Sequence, residues 1–121
     1  MQITTSEWKI IKLLWEKPMT ITQLTKELAE ETQWTKYTII VLLKRMLEKD
    51  TVYFVQEGRT KVFYPKVDKE SAELSESEEF LNKVFDGRLS LMVSALTEKD
   101  KISEREISEL CKLLHLKRSD D

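Results

Sequence analysis

The segment WTKYTIIVLLKRML, residues 34–47, contains the strongest helical pattern in the chain. Its apolar side chains recur at the i, i+3, i+4, i+7 and i+8 positions that share one helix face: Ile39, Leu42, Leu43, Met46 and Leu47. The opposite face carries Lys36, Tyr37, Ile40, Val41 and Lys44. We predict a helix that opens at Thr35, buries the first set in a core and leaves a mixed basic and apolar face outside it.

Two further helices are expected before this segment. Apolar spacing predicts the first over about residues 6–17, where Pro18 stops the pattern. The second is expected to begin from a cap at Thr22 and to end near Glu31. Both have the narrow apolar stripe of helices that pack on a shared core.

A β-hairpin is expected after the third helix. VYFV (52–55) and VFY (62–64) flank the turn sequence EGRT (57–60), and Pro65 ends the second strand. Ile21 can add a third short strand. Helix, helix, helix and hairpin in this order are the layout of a winged helix-turn-helix. Its predicted core consists of Trp8, Ile11, Leu14, Trp15, Leu24, Leu28, Ile39, Leu42, Leu43, Met46 and Phe63.

This fold places its third helix where it can enter a DNA major groove, while the hairpin reaches the flanking backbone. Residues 1–70 carry 12 Lys/Arg against 10 Asp/Glu, and a net charge of +2 permits nucleic-acid binding without arguing strongly for it. The candidate DNA-contacting residues lie on or beside the third helix and in the hairpin: Thr35, Lys36, Tyr37, Thr38, Val41, Lys44, Arg45, Arg59 and Lys61.

A simpler explanation exists for each of these residues. Lys44 and Arg45 can be merely solvated, and charged side chains are ordinary in turns. Ile40 and Val41 are unusual on a solvated face, so they can either contact thymine methyl groups or pack on another part of the protein. A separate hypothesis is a winged-helix protein-interaction module that does not read DNA and that uses Ile40 and Val41 as its apolar contact. Whether the apolar pair is exposed or covered is the observation that discriminates this module from a DNA-binding protein.

Residues 71–121 differ in charge and in pattern, with 8 Lys/Arg against 12 Asp/Glu, a net charge of -4. Three helices with narrow apolar stripes are expected there, and they are too few to build an independent core. A two-fold homodimer would bury the stripes and place two reading helices on an inverted-repeat operator. The alternative is that these helices fold back on the winged domain. The predicted dimerisation residues are Leu74, Phe80, Leu81, Val84, Phe85, Leu89, Met92, Val93, Leu96, Leu110, Leu113 and Leu114.

The chain is therefore expected to be mostly α with a small β-hairpin, a winged helix-turn-helix DNA-binding domain (1–70) followed by a helical dimerisation domain (71–121). No apolar run approaches the roughly 20 residues that cross a bilayer, and the first residues lack a secretory pattern. A single cysteine, Cys111, makes no internal disulfide, so a cytoplasmic location without membrane insertion is expected. We expect no enzyme, because no nucleophile is paired with a base or metal constellation.

Several spaced motifs resemble one known family. The segments SEW (6–8) and LLWEK (13–17) resemble the opening of the penicillinase-repressor family, the BlaI/MecI/CopY type. Residues 34–46 are similar to that family's recognition helix, GR (58–59) followed by FYP (63–65) is similar to its wing, and EFL (79–81) is similar to the start of its dimerisation region. The resemblance extends over nearly the whole chain.

The resemblance implies a homodimeric repressor whose winged domain occupies an operator and blocks transcription. In the best-known members the regulated genes encode a β-lactamase or an altered penicillin-binding protein, and a membrane sensor triggers cleavage of the repressor at an Asn-Phe pair. That pair aligns here with Ala95-Leu96, which leaves open whether a proteolytic switch operates. The chain also has Tyr37 where the family has a basic residue, and Val41 where it has threonine, so the operator sequence is expected to differ.

The copper-responsive branch of the family would carry a cysteine cluster near its carboxyl end. Here Cys111 has only His115 four residues later, and two ligands do not close a metal site. The leucine-rich surroundings favour a buried or dimer-facing cysteine. We therefore expect neither a metal nor a cofactor.

Overall fold

The computed structural model describes residues 2–119. Over these residues the elements follow in the order α1 (Thr5–Glu16), β1 (Met19–Thr20), α2 (Ile21–Thr32), α3 (Lys36–Glu48), β2 (Val52–Glu57), β3 (Thr60–Pro65), α4 (Lys69–Phe85), α5 (Leu89–Glu98) and α6 (Glu104–Ser119). They form two compact units, Met1–Ser77 and Glu78–Asp121, so that the division falls within α4. The functional division after residue 70 stays a prediction.

Threonine side chains fix where the first three helices begin. Thr4 forms a reciprocal capping box with Glu7 at α1, and Thr20 forms one with Gln23 at α2. The Thr35 hydroxyl accepts a hydrogen bond from the backbone N–H of Thr38, 3.4 Å away, at the start of α3. The prediction that Thr22 caps α2 was wrong by two residues.

The sheet is antiparallel, with β3 between β1 and β2. Met19 is opposite Phe63 in this ladder, and both side chains are buried. The third strand was predicted at Ile21, but the strand is Met19–Thr20 and Ile21 begins α2, because the cap at Thr20 starts the helix at once. The winged helix-turn-helix architecture is confirmed.

One hydrophobic core lies between the first three helices and the sheet. Its buried members are Ile10, Ile11, Leu14, Met19, Leu24, Leu28, Ile39, Leu42, Leu43, Met46, Val52 and Phe63. Trp8 and Trp15 were predicted inside it, but they are half-buried at its edge, packed edge to face with ring centres 5.6 Å apart. The Trp15 indole N–H donates to the carbonyl of Val67 over 3.0 Å.

The carboxy-terminal unit differs from the first unit in how far its side chains are buried. Among residues 78–118 no side chain is buried, although α5 is rich in apolar residues. Asp68 caps α4, Gly87 adopts a left-handed backbone with φ of 77° after it, and the Ser103 hydroxyl accepts from the backbone N–H of Glu106 at the start of α6. This unit therefore has helices but no hydrophobic interior of its own.

Candidate nucleic-acid interface

The helix-turn-helix geometry depends on a sharp connection between α2 and α3. Gln33 ends α2 with a left-handed backbone, φ of 59°, and its N–H donates to the carbonyl of Ala29. Trp34 follows and packs half-buried against the core, and Thr35 then caps α3. The four core residues of α3 face inward, as predicted, so its outer face is fixed by the packing of its inner one.

Three basic side chains of α3 are exposed and unpaired. Lys36, Lys44 and Arg45 have no hydrogen-bond or salt-bridge partner among residues 2–119. By contrast, two other lysines of the same unit are engaged: Lys9 with Glu31, and Lys66 with Asp50 at 2.7 Å. The outer face of α3 thus presents positive charge that no carboxylate of the described chain neutralises.

The outer face of α3 also carries large apolar side chains beside Lys44. Tyr37 is 75% exposed and Ile40 47%, while Val41 is half-buried beside them. We call these three residues the α3 apolar stripe. Ile40 is therefore exposed, whereas Val41 is partly covered, and the role of the pair stays a prediction. Thr38 is half-buried, and Thr35 is exposed with its hydroxyl engaged in the cap.

The wing is the hairpin of β2 and β3. Gly58 turns it with φ of 62°, and Arg59 is exposed at the tip with no partner among the described residues. The Nζ atom of Lys61 lies 4.6 Å from the centre of the Phe54 ring, so the exposed lysine is held over an aromatic face. The contribution of Phe54 was missed by sequence analysis, although its place opposite Phe63 in the hairpin register predicts it.

The carboxyl end of α3 is fixed to the start of α1 by a buried charge. Glu7 is 1% exposed, and its carboxylate accepts from Lys49 Nζ at 2.8 and 3.1 Å and from the backbone N–H of Thr4 at 3.0 Å. Lys49 also donates to the carbonyl of Gln2 over 3.0 Å. This pair was not predicted, because its members lie 42 residues apart in the sequence and local spacing indicates only the helix start.

The predicted dimerisation residues are all exposed or half-buried. Leu81, Phe85, Met92 and Val93 are half-buried, and the others are exposed: Leu74, Phe80, Val84, Leu89, Leu96, Leu110, Leu113 and Leu114. Ala95 is exposed beside Leu96 within α5, and Cys111 is exposed on α6. Cys111 was expected to be buried or dimer-facing, and within one chain it is not buried.

Over residues 2–119, no group of three or more His, Cys, Asp and Glu side chains is placed to hold a metal ion. No helix in this part of the chain is both long and apolar enough to span a bilayer.

Three helices, the third with a basic outer face, and a three-stranded wing sheet define a winged helix-turn-helix protein. The sequence profile described as "Penicillinase repressor" matches residues 3–115. The chain belongs to the penicillinase repressor family.

Two similar sequences and one similar solved structure support this assignment. The chain is 32% identical to the penicillinase repressor of Bacillus licheniformis over 114 residues, which cover 93% of this chain and 89% of the relative. It is 26% identical to the methicillin resistance regulatory protein MecI of Mammaliicoccus sciuri, over 96% of this chain and 95% of MecI. The solution structure of monomeric Bacillus licheniformis BlaI in complex with the blaP half-operator is similar, with a TM-score of 0.51 and 28% identity, over 58% of this chain and 87% of that one.

Proposed function

We propose that this chain is a transcriptional repressor that binds a specific DNA sequence as a homodimer on an inverted-repeat operator. The observation that carries the proposal is the outer face of α3, where Lys36, Lys44 and Arg45 are exposed and have no carboxylate partner among residues 2–119. DNA phosphates are the natural counterions for such a face. The BlaI half-operator complex supports the DNA-binding part, because that relative binds an operator with a similar domain.

In the proposed complex α3 lies in the major groove and the wing follows the flanking backbone. Lys36, Lys44, Arg59 and Lys61 neutralise phosphates, which fixes the register of the protein on the duplex. Arg45 also contacts phosphate or the edge of a guanine. The remaining proposed contacts come from the first turns of α3: Thr35, Tyr37, Thr38 and Val41.

The homodimer is proposed from the carboxy-terminal unit. Its helices expose large apolar side chains. Leu113 and Leu114, for example, each have more than half of their surface exposed to water in a single chain. Burial yields roughly 25 cal/mol per Å² of apolar surface, so a second copy that covers this face gains stability. A two-fold pair also brings two α3 helices to two half-sites of opposite direction.

The regulated genes are proposed to be β-lactam-resistance genes, and the repressor is proposed to act in the cytoplasm. The names of the penicillinase and methicillin-resistance relatives support the first part. Induction is proposed to occur through a membrane sensor protease, and the candidate cleavage site is the Ala95-Leu96 peptide bond. Because this bond lies inside α5, cleavage requires local unfolding, which a helix without a buried residue permits at low cost.

The test is selection of duplexes from a random pool with the full chain, followed by titration of the selected duplex at rising salt. We expect an inverted repeat to be enriched and binding to weaken steeply with salt, because phosphate contacts release counterions. Failure to enrich any sequence would favour the alternative, a protein-interaction module that uses Ile40 and Val41. Incubation with the sensor's protease domain and mass measurement of the fragments tests cleavage at Ala95-Leu96.

A further inference from the structure

The α3 apolar stripe lies between charged flanks on the same helix. At 3.6 residues per turn, Tyr37, Ile40 and Val41 share one face with Lys44, and Lys36 and Arg45 lie on opposite sides of it. The two flanking cations are unpaired among the residues that the structure describes. A polyanion that binds the flanks therefore brings its own surface against the stripe.

Ile40 and Val41 carry no hydrogen-bond donor or acceptor. A base edge placed against them loses water and receives no hydrogen bond in return, which costs free energy. The thymine C5-methyl is the apolar group that a DNA major groove presents among the unmodified bases. With a thymine at this position, the contact buries two apolar groups and lowers the free energy of binding; with another base, the desolvation cost remains.

We infer that Ile40, with Val41, selects operator half-sites by contacting thymine C5-methyl groups. This inference rests on the proposed function and names the chemical group that the centre of α3 reads. Exposure supports Ile40 as the main contact, because it is 47% exposed while its neighbour Val41 is half-buried. The neighbouring polar residues then supply affinity and hydrogen bonds, and the methyl contact supplies part of the sequence preference.

The inference is tested with the selected duplex, by replacing each thymine with uracil one position at a time. This exchange removes the C5-methyl and leaves every hydrogen-bonding group of the base in place. For the wild-type chain we expect a loss of about fourfold in affinity at one or two positions of each half-site, the value of one buried methyl group. Fluorescence anisotropy at constant salt measures it.

Variants assign that loss to the side chain. In Ile40→Ala the uracil penalty at one of these positions is expected to fall below about twofold, because the partner of the methyl has gone. Lys44→Ala lies on the same helix and is the matched control: it weakens binding but retains the penalty. Val41→Thr, which keeps the branched shape and replaces one methyl group with a hydroxyl, is a second variant and is expected to reduce the penalty partly.

Each outcome decides the inference. A chain that binds a selected duplex but shows no uracil penalty, or whose selected half-site contains no thymine, overturns the methyl contact and leaves the repressor proposal intact. A penalty that persists unchanged in Ile40→Ala and in Val41→Thr also overturns it. Enrichment of no sequence at all overturns the proposed function and this inference together.

Discussion

Lys49 Nζ lies 2.8 Å from Glu7 Oε1, and this contact joins the end of α3 to the start of α1. The Glu7 carboxylate is almost fully buried, whereas about a third of the Lys49 side chain is exposed. The lysine therefore brings charge to a carboxylate that water barely reaches. The orientation of α3, and with it the direction of its outer face, depends in part on this pair.

Replacing Lys49 should destabilise the protein, because the buried Glu7 carboxylate would lose its charged partner. We expect Lys49→Met, which keeps the apolar stem, to lower the free energy of unfolding by about 1–3 kcal/mol, since a buried acceptor loses its charged donor. Urea denaturation followed by tryptophan fluorescence at one fixed protein concentration measures this. The control is Lys66→Met, which breaks the exposed pair with Asp50 and should cost at most about 1 kcal/mol. Equal losses in both variants would contradict the role given to Glu7.

Lys44 should contribute to DNA binding through phosphate contact. We expect Lys44→Ala to weaken binding to specific and scrambled duplexes alike, and to reduce the slope of log K against log salt by about 1 for each half-site. Titrations at several salt concentrations give the slope. Lys112→Ala removes an exposed lysine from α6 and should leave it unchanged. A Lys44→Ala slope equal to that of the wild type would exclude a phosphate contact.

Gly58 should be required for its backbone conformation rather than for space. Its φ is +62°, yet a Cβ atom added there meets nothing within 4 Å. We therefore expect Gly58→Ala to lower stability by about 1 kcal/mol, the cost of a left-handed L-residue, and Gly58→Asn to cost less because asparagine tolerates this region. Thermal unfolding of both variants measures the difference. The reverse order would mean that side-chain contacts, not the backbone, set the cost.

The exposed leucines of α6 should hold two copies together. Leu113 is 63% exposed in a single chain. In a dimer that buries it, Leu113→Ala would remove apolar contact from both copies, so we expect the dimer dissociation constant to rise about a hundredfold or more. Sedimentation equilibrium measures this, with Lys112→Ala as the neighbouring control. A wild-type chain that is monomeric at micromolar concentration would remove the dimer from the proposal.

Much of the fold follows from local pattern. The apolar spacing of α3 and the turn at Gly58 predicted the helix and the wing, because both signals lie within a few residues. Ile10, Met19 and Val52 were missing from the predicted core. Met19 and Val52 lie in strands, where burial depends on which strand pairs with which and not on a helical period.

The errors have physical causes that a sequence does not display. Trp15 is too large to be enclosed, and its indole N–H reaches a backbone carbonyl at the edge of the core. Glu7 is buried in a contact with Lys49, which is distant in the sequence, so no local pattern indicates it. At the candidate site, residue types identified the charged positions, but only the structure distinguishes the lysines that are already paired, such as Lys9 and Lys66, from those that are not.

The lack of any buried side chain among residues 78–118 has a consequence for regulation in the cell. If association supplies the missing interior of this unit, its folding is coupled to encounter between copies, and its stability rises with protein concentration. At low protein concentration these helices are then more often unfolded and accessible to general proteases, whereas at high concentration association keeps them folded. We expect the half-life of the repressor to lengthen as its own expression rises, which would make silencing of its target genes switch on over a narrow range of dosage.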